Sequence, residues 1–267
     1  MNPVSCERIG RKSWSPHYYT NVGTLPAAEA FLPMNPASPD VTSEPVTIQV
    51  DHVRTVSGLI QVPTGAFACY VLAHGAGAGM THPFMAAVAD GLAMRGVATL
   101  RFQFPYMEAG SKRPDRPALA ASTIRAAVEA AGRLRLPLFA GGKSFGGRMT
   151  SLARAEAPLP HVRGLVFLGF PLHPAKKPSD ERAAHLQGIR VPMLFLQGTR
   201  DALANPAFLV PMIGSLGSNA TLEAIDQADH SFHVPARSGR TDAQVLKGML
   251  DTVADWMRRL SAPGQPA

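Results

Sequence analysis

Short apolar runs that alternate with helical stretches predict an α/β fold: a mostly parallel eight-stranded sheet with helices on both faces. Three observations predict it. The runs are apolar almost throughout, as expected of strands buried on two sides. The stretches between them repeat apolar residues at the helical period and carry start and stop signals. Eight such runs between residues 46 and 260 use up that region in one sheet, leaving no room for a second domain or a large cap.

Residues 46–50 and 56–62 read as two strands joined by a short turn, an antiparallel start to the sheet. A third strand, 69–73, ends at His74-Gly75. Pro83 opens a helix whose Phe84, Val88 and Leu92 share a face, and Gly96 stops it. Residues 97–104 read as a strand, 117–132 as a helix and 138–142 as a strand. Residues 144–156 form the next helix and 162–170 the next strand, followed by a short helix near 179–187. The strand 193–197, the helix 205–214 and the strand 220–225 come next. The last helix starts near Thr241, and Leu246, Met249, Leu250, Val253, Met257 and Leu260 give it one apolar face to pack on the sheet.

The rest of the composition narrows the class. Of the 267 residues 46% are hydrophobic and 17% charged, a globular balance that excludes a wholly disordered or coiled-coil chain. No run reaches the roughly 20 apolar residues of a membrane span. Residues 1–44 hold Pro3, Pro16, Pro26, Pro33, Pro36 and Pro39 and keep no period, so they read as a poorly ordered extension. The expected division is therefore an extension 1–44, a single domain 45–262 and a tail 263–267. The basic residues near the N-terminus are followed by no apolar segment of the kind that directs secretion, which makes the cytoplasm the expected location. The net charge of +7 comes from scattered basic residues, so the expected partner is a small-molecule substrate, with neither nucleic acid nor membrane. Two cysteines build no disulfide framework, and no Cys/His cluster has the spacing of a metal site. Gly75-x-Gly77-x-Gly79 lacks the dinucleotide spacing, so no cofactor is expected. The sequence carries no signal of oligomeric state.

The sharpest motif is Gly141-Gly142-Lys143-Ser144-Phe145-Gly146-Gly147. It contains Gly-x-Ser-x-Gly between an apolar strand and a helical stretch, the setting of a nucleophile elbow. Such a turn is tight enough to require glycine at 142 and 146, and it leaves Ser144 strained with its hydroxyl presented. A serine nucleophile needs a base, and a base of this kind follows the last strand. His230 and His233 both lie there; His230, nearer the strand, is the expected base. The acid is expected after the preceding strand, which selects Asp201 over Asp226 and Asp229. An oxyanion hole is expected from the backbone N–H of Phe145 and from the loop after the third strand, with Ala76 the first choice and Gly77 the second. His74 reads as a hydrogen-bonding loop residue, and Lys143 as a solvated surface lysine. Phe104, Tyr106, Phe145, Phe170 and His173 sit at strand ends and are expected to wall an open substrate pocket.

Five segments together carry a family resemblance: 74–85 (HGAGAGMTHPFM), 101–106 (RFQFPY), 141–149 (GGKSFGGRM), 169–174 (GFPLHP) and 229–233 (DHSFH). Over about residues 46–260 the chain resembles the serine α/β-hydrolases, and within them a group of predicted hydrolases described as dienelactone-hydrolase-like. The resemblance implies the α/β-hydrolase fold with Ser144, Asp201 and His230 in the triad positions. Enzymes that open dienelactones use a cysteine nucleophile where this chain has Ser144, so the resemblance does not extend to that activity. Hydrolysis of an ester or thioester by acyl transfer is the expected function. Eukaryotic relatives in the group include a subunit of a chromatin-acetylating complex and a testis-expressed protein. The alternative is therefore an interaction protein that retains the hydrolase frame.

Overall fold

The computed structural model describes residues 42–262. It contains eight strands in one sheet, ordered β1-β2-β4-β3-β5-β6-β7-β8. The strands are β1 (Ser43–Gln49), β2 (Thr55–Gln61), β3 (Ala68–Ala73), β4 (Val97–Phe102), β5 (Leu138–Lys143), β6 (Val162–Leu168), β7 (Met193–Gly198) and β8 (Ala220–Ile225). β1–β2 and β2–β4 pair antiparallel, and every pairing from β4 to β8 is parallel. Six helices cover the sheet: α1 (Pro83–Ala93), α2 (Pro105–Glu108), α3 (Pro117–Gly132), α4 (Phe145–Glu156), α5 (Pro206–Ser215) and α6 (Asp242–Ser261).

The strands sort their side chains by alternation. In β3, Cys69, Val71 and Ala73 face the layer of α3 and α4, while Ala68, Tyr70 and Leu72 face that of α1 and α6. From β3 to β7 both faces are buried, which is why these strands read as continuous apolar runs. α6 starts with a reciprocal cap, Thr241 accepting from the Gln244 amide and Gln244 from that of Thr241. Its Trp256 is 5% exposed, lies 5.7 Å from the ring of Phe139, and fills the space left by Gly164, where a Cβ would come within 2.5 Å of the indole.

Several boundaries differ from the sequence reading, each for a local reason. The fold starts before the expected 45: Ser43 and Glu44 already pair with Gln61 and Ile60. Residues 1–41 of the expected extension, and the tail 263–267, lie outside the described residues. β4 stops at Phe102, and Pro105 opens α2, a helix the sequence reading lacks. β6 stops at Leu168 because Gly169 takes a left-handed φ of +72° and turns the chain. The short helix expected near 179–187 is a 3₁₀ segment, Glu181–Gly188. His185 fastens it to α4, its Nε2 lying 2.7 Å from the Ser151 hydroxyl; burial and the Arg148 guanidinium lower its pKa to about 4. Between β6 and β7 this segment is the whole of the regular structure, so no cap domain lies there among the described residues. No described helix is long and apolar enough to cross a membrane.

The Trp256 contact generates a stability prediction. Trp256→Ala should destabilise the domain by about 3–5 kcal/mol, the usual cost of truncating a buried aromatic. Guanidinium unfolding monitored by circular dichroism measures it, and a loss under about 1 kcal/mol would show that the α6 face is not a rigid contact.

Candidate active site

The sheet order turns around at β3, which lies between β4 and β5. A crevice forms beyond the carboxyl ends of strands at such a switch point. The loop after β3 and the turn after β5 share it: a Cβ on Gly75 would sit 3.9 Å from Ser144 Cβ.

Ser144 stands between β5 and α4 at φ +49°, ψ −113°, a strained conformation for a residue with a side chain. Its neighbours hold it there. The Ser144 amide donates to Leu168 O (3.2 Å), and the Arg148 amide donates to Ser144 O (3.0 Å). The turn fits because a Cβ on Gly146 would lie 2.5 Å from Ala73 O, and one on Gly142 would run into the same carbonyl. Ser144 Oγ is 2.8 Å from His230 Nε2, and His230 Nδ1 is 2.7 Å from Asp201 Oδ2. With the carboxylate on Nδ1, that nitrogen carries the proton and donates, so Nε2 accepts from the serine hydroxyl.

The Asp201 side chain is fully buried. Besides the imidazole it accepts from the Leu203 amide (2.7 Å) and from Gln197 Nε2. Gln197 was not anticipated; its signal in the sequence is one amide ending the apolar run 193–196. The rival acids stand elsewhere. Asp226 is exposed and meets Thr199 Oγ1 at 3.5 Å. Asp229 accepts from the amides of Ser231 (2.8 Å) and His233 (3.0 Å), folding the loop that presents His230. His233 points outward to Asp242 at the start of α6 (2.8 Å), and that carboxylate raises its pKa.

The loop 74–80 offers backbone amides. Ala78 N donates to Gly75 O (3.1 Å), closing a turn with Gly77 at φ +72°. The Gly77 amide donates to Tyr106 Oη (2.9 Å), so this second-choice donor is occupied. The Ala76 amide has no acceptor among the described residues. Phe145 opens α4, where the amide has no partner within the helix.

Two expectations about side chains are corrected. Phe104, Phe170 and His173 do not wall an open pocket, being no more than 2% exposed, and Tyr106 is also buried. Phe170 packs on Phe167 and Phe195, and Phe104 on His74 and Phe102. His173 accepts from the Asn205 amide (2.8 Å) through Nε2 and donates to Pro174 O (2.9 Å) through Nδ1, which ties the end of β6 to the loop of Asp201. Phe145 stays half-buried, with its edge on Phe104. Lys143 is not a solvated lysine: its Nζ donates to His230 O and lies 5.1 Å from the centre of the Phe232 ring. His74, expected as a hydrogen-bonding loop residue, is one: wholly buried, it donates to Gly75 O (2.7 Å) and accepts from Phe104 N (3.2 Å), and burial lowers its pKa.

A cavity of about 570 Å³ lined by Arg125, Arg133 and His161 lies at the amino-terminal edge of β6, the far end of the strands from Ser144, and has no part in this site. No described group of three or more His, Cys, Asp or Glu residues is placed to hold a metal ion.

A serine on a strand–helix turn, joined by hydrogen bonds to a histidine and an aspartate from later strand ends, is the arrangement of the α/β-hydrolase class. Residues 66–258 match the family model described as an alpha/beta hydrolase domain, and the chain belongs to that family. Solved structures share the fold. The dienelactone hydrolase from Anabaena variabilis superposes with a TM-score of 0.64 at 22% identity, over 82% of this chain and 98% of its own. XC6422 from Xanthomonas campestris, described as an α/β serine hydrolase without a lid, has a TM-score of 0.64 at 21% identity, over 87% and 100%. The esterase domain of a Rhodothermus marinus protein has a TM-score of 0.64 at 17% identity, over 83% and 100%. At these identities the likeness is one of fold.

The glycine contacts generate a paired prediction. Gly146→Ala should destabilise the protein by about 1–3 kcal/mol or more, because the methyl group meets fixed backbone. Gly248→Ala, in the exposed middle of α6 with open space around it, should stabilise it by about 0.4–1 kcal/mol. Thermal melts of both variants decide; equal effects would show that the turn relaxes freely.

Proposed function

We propose that the chain is a serine hydrolase that cleaves a carboxylic ester or thioester by acyl transfer, with Ser144 as nucleophile, His230 as general base and acid, and Asp201 as the orienting carboxylate. The observation that carries this reading is the unbroken chain of hydrogen bonds from Ser144 through His230 to the buried Asp201, 2.8 and 2.7 Å long. Ser144 Oγ attacks the substrate carbonyl as its proton passes to His230 Nε2. The oxygen that becomes negative is received by the amides of Phe145 and Ala76, aided by the positive end of α4. His230 then protonates the departing alcohol or thiol, leaving an acyl-serine. Water attacks the acyl carbon, gives a proton to His230, and the acid leaves as that proton returns to Ser144. Asp201 keeps the proton on Nδ1 and stabilises the transient imidazolium without taking it.

The short connection between β6 and β7 supports a preference for small substrates. An acyl chain not buried by a lid gains little of the roughly 0.8 kcal/mol per CH₂ that a closed tunnel supplies. The lidless description of the Xanthomonas campestris relative agrees with this.

Ser144→Ala should abolish both ester hydrolysis and labelling by a fluorophosphonate, with little change in melting temperature; activity within about tenfold of wild type would sink the nucleophile assignment. Asp201→Asn should lower kcat by on the order of 10³–10⁴ with the fold intact. If Asp229→Asn does this and Asp201→Asn does not, the acid is Asp229. Across p-nitrophenyl esters, kcat/KM should be highest up to about C4–C6 and fall by about C12; a C12 optimum would refute the preference for small substrates.

A further inference from the structure

Lys143 immediately precedes the nucleophile, and its side chain turns back beneath the histidine loop. Nζ donates to the carbonyl oxygen of His230. The aromatic face of Phe232 lies against the amine at 5.1 Å, and Phe232 in turn stacks on Phe84 of α1, ring centres 6.0 Å apart. Gly169, at the end of β6, makes room: a Cβ there would stand 2.9 Å from Nζ and 3.5 Å from both Cε1 and Nδ1 of His230. The charged groups facing the amine are Asp201, from the loop after β7, and Asp229, from the loop after β8. Burial lowers the lysine pKa to about 8 against the pull of those two carboxylates.

A lysine head taken from water and aimed at one carbonyl loses side-chain freedom and solvation. It gains a charge-assisted hydrogen bond to the backbone of the base. The loop 226–234 is otherwise tied at its start to the loop after β7, where Gln227 N donates to Thr199 Oγ1 (2.8 Å) and Arg200 N to Ala228 O (2.9 Å), shaped from within by Asp229, and anchored at its far end by Asp242 accepting from Val234 N (3.0 Å). The bond from Lys143 ties the backbone of His230 to the residue next to Ser144. A base displaced by about 1 Å costs on the order of 10²-fold in rate.

We propose that Lys143 is a positioning residue: by holding the His230 carbonyl from the position before the nucleophile, it fixes the distance between the imidazole and the Ser144 hydroxyl. The proposal rests on the hydrolase reading for its effect on rate, but not for its effect on the geometry of His230.

The test compares wild type, Lys143→Met, which removes donor and charge at similar length, and Lys143→Arg, which keeps both. Two readouts are taken: the second-order rate of fluorophosphonate labelling across about pH 6–10, and the low-field proton resonance of the His230 Nδ1–H that donates to Asp201. Lys143→Met should label about 10- to 100-fold more slowly and broaden or lose the low-field resonance, with its melting temperature within a few degrees of wild type. In wild type the labelling rate should fall as Lys143 loses its proton above about pH 8, since a neutral amine is the weaker donor. Lys143→Arg, charged throughout, should keep the labelling without that fall. The proposal is overturned if Lys143→Met labels within about threefold of wild type and keeps the resonance. Should Lys143→Met fail to fold, Lys143→Arg decides: an alkaline fall identical to that of wild type overturns the proposal, and its disappearance supports it. If wild type does not label but shows a resonance that Lys143→Met loses, the hydrolase reading fails and the positioning role stands.

Discussion

The crevice depends on one backbone contact. The carbonyl of Ala73, last residue of β3, is approached by Gly142 and Gly146, one on each side of Ser144, so closely that neither tolerates a Cβ. This contact lets α4 start directly at the strand ends. It puts the positive end of the helix, the strained serine and the amide-bearing loop after β3 within a few ångströms of each other. The hydrogen bonds of Ser144, His230 and Asp201 presuppose it, because they need a hydroxyl that stands clear of the sheet.

Around that contact the loops are held by buried histidines used in one way twice. His74 gives its Nδ1 proton to the next carbonyl and accepts the Phe104 amide; His173 gives its proton to Pro174 O and accepts the Asn205 amide. Each ties the loop of one strand to the loop after another: β3 to β4, and β6 to β7. Tyr106 and Gln103 add further ties to the loop after β3, through the amides of Gly77 (2.9 Å) and Met80 (3.0 Å). The aromatic and histidine residues at the strand ends therefore set the positions of backbone amides.

The strands and helices were legible because burial on both faces leaves a strong mark, as in residues 193–196, and because the glycines around Ser144 admit few other uses. Placing Asp201 after β7 and His230 after β8 followed from chain order, and the structure brings both to Ser144. What stayed hidden was the direction of side chains. A histidine or phenylalanine at a strand end has the same letter whether it faces substrate or core, so Phe104, Phe170 and His173 were assigned to the pocket. Lysine is usually solvated, and the cue that Lys143 is not lies far along the chain, in Phe232 and in the missing side chain of Gly169. α2 was missed because its four residues, Pro105 included, are too few to show a period.

His173 and the 3₁₀ segment share one connection but act at different points along it. The brace to the Asp201 loop is complete by Pro174, whereas Glu181–Gly188 docks on α4 through His185. The chain between them contributes to neither Asp201 nor His230. Length and composition can therefore change there while Ser144, His230 and Asp201 keep their places, so that variation in the connection and constancy of the crevice fall on separate pieces of one loop.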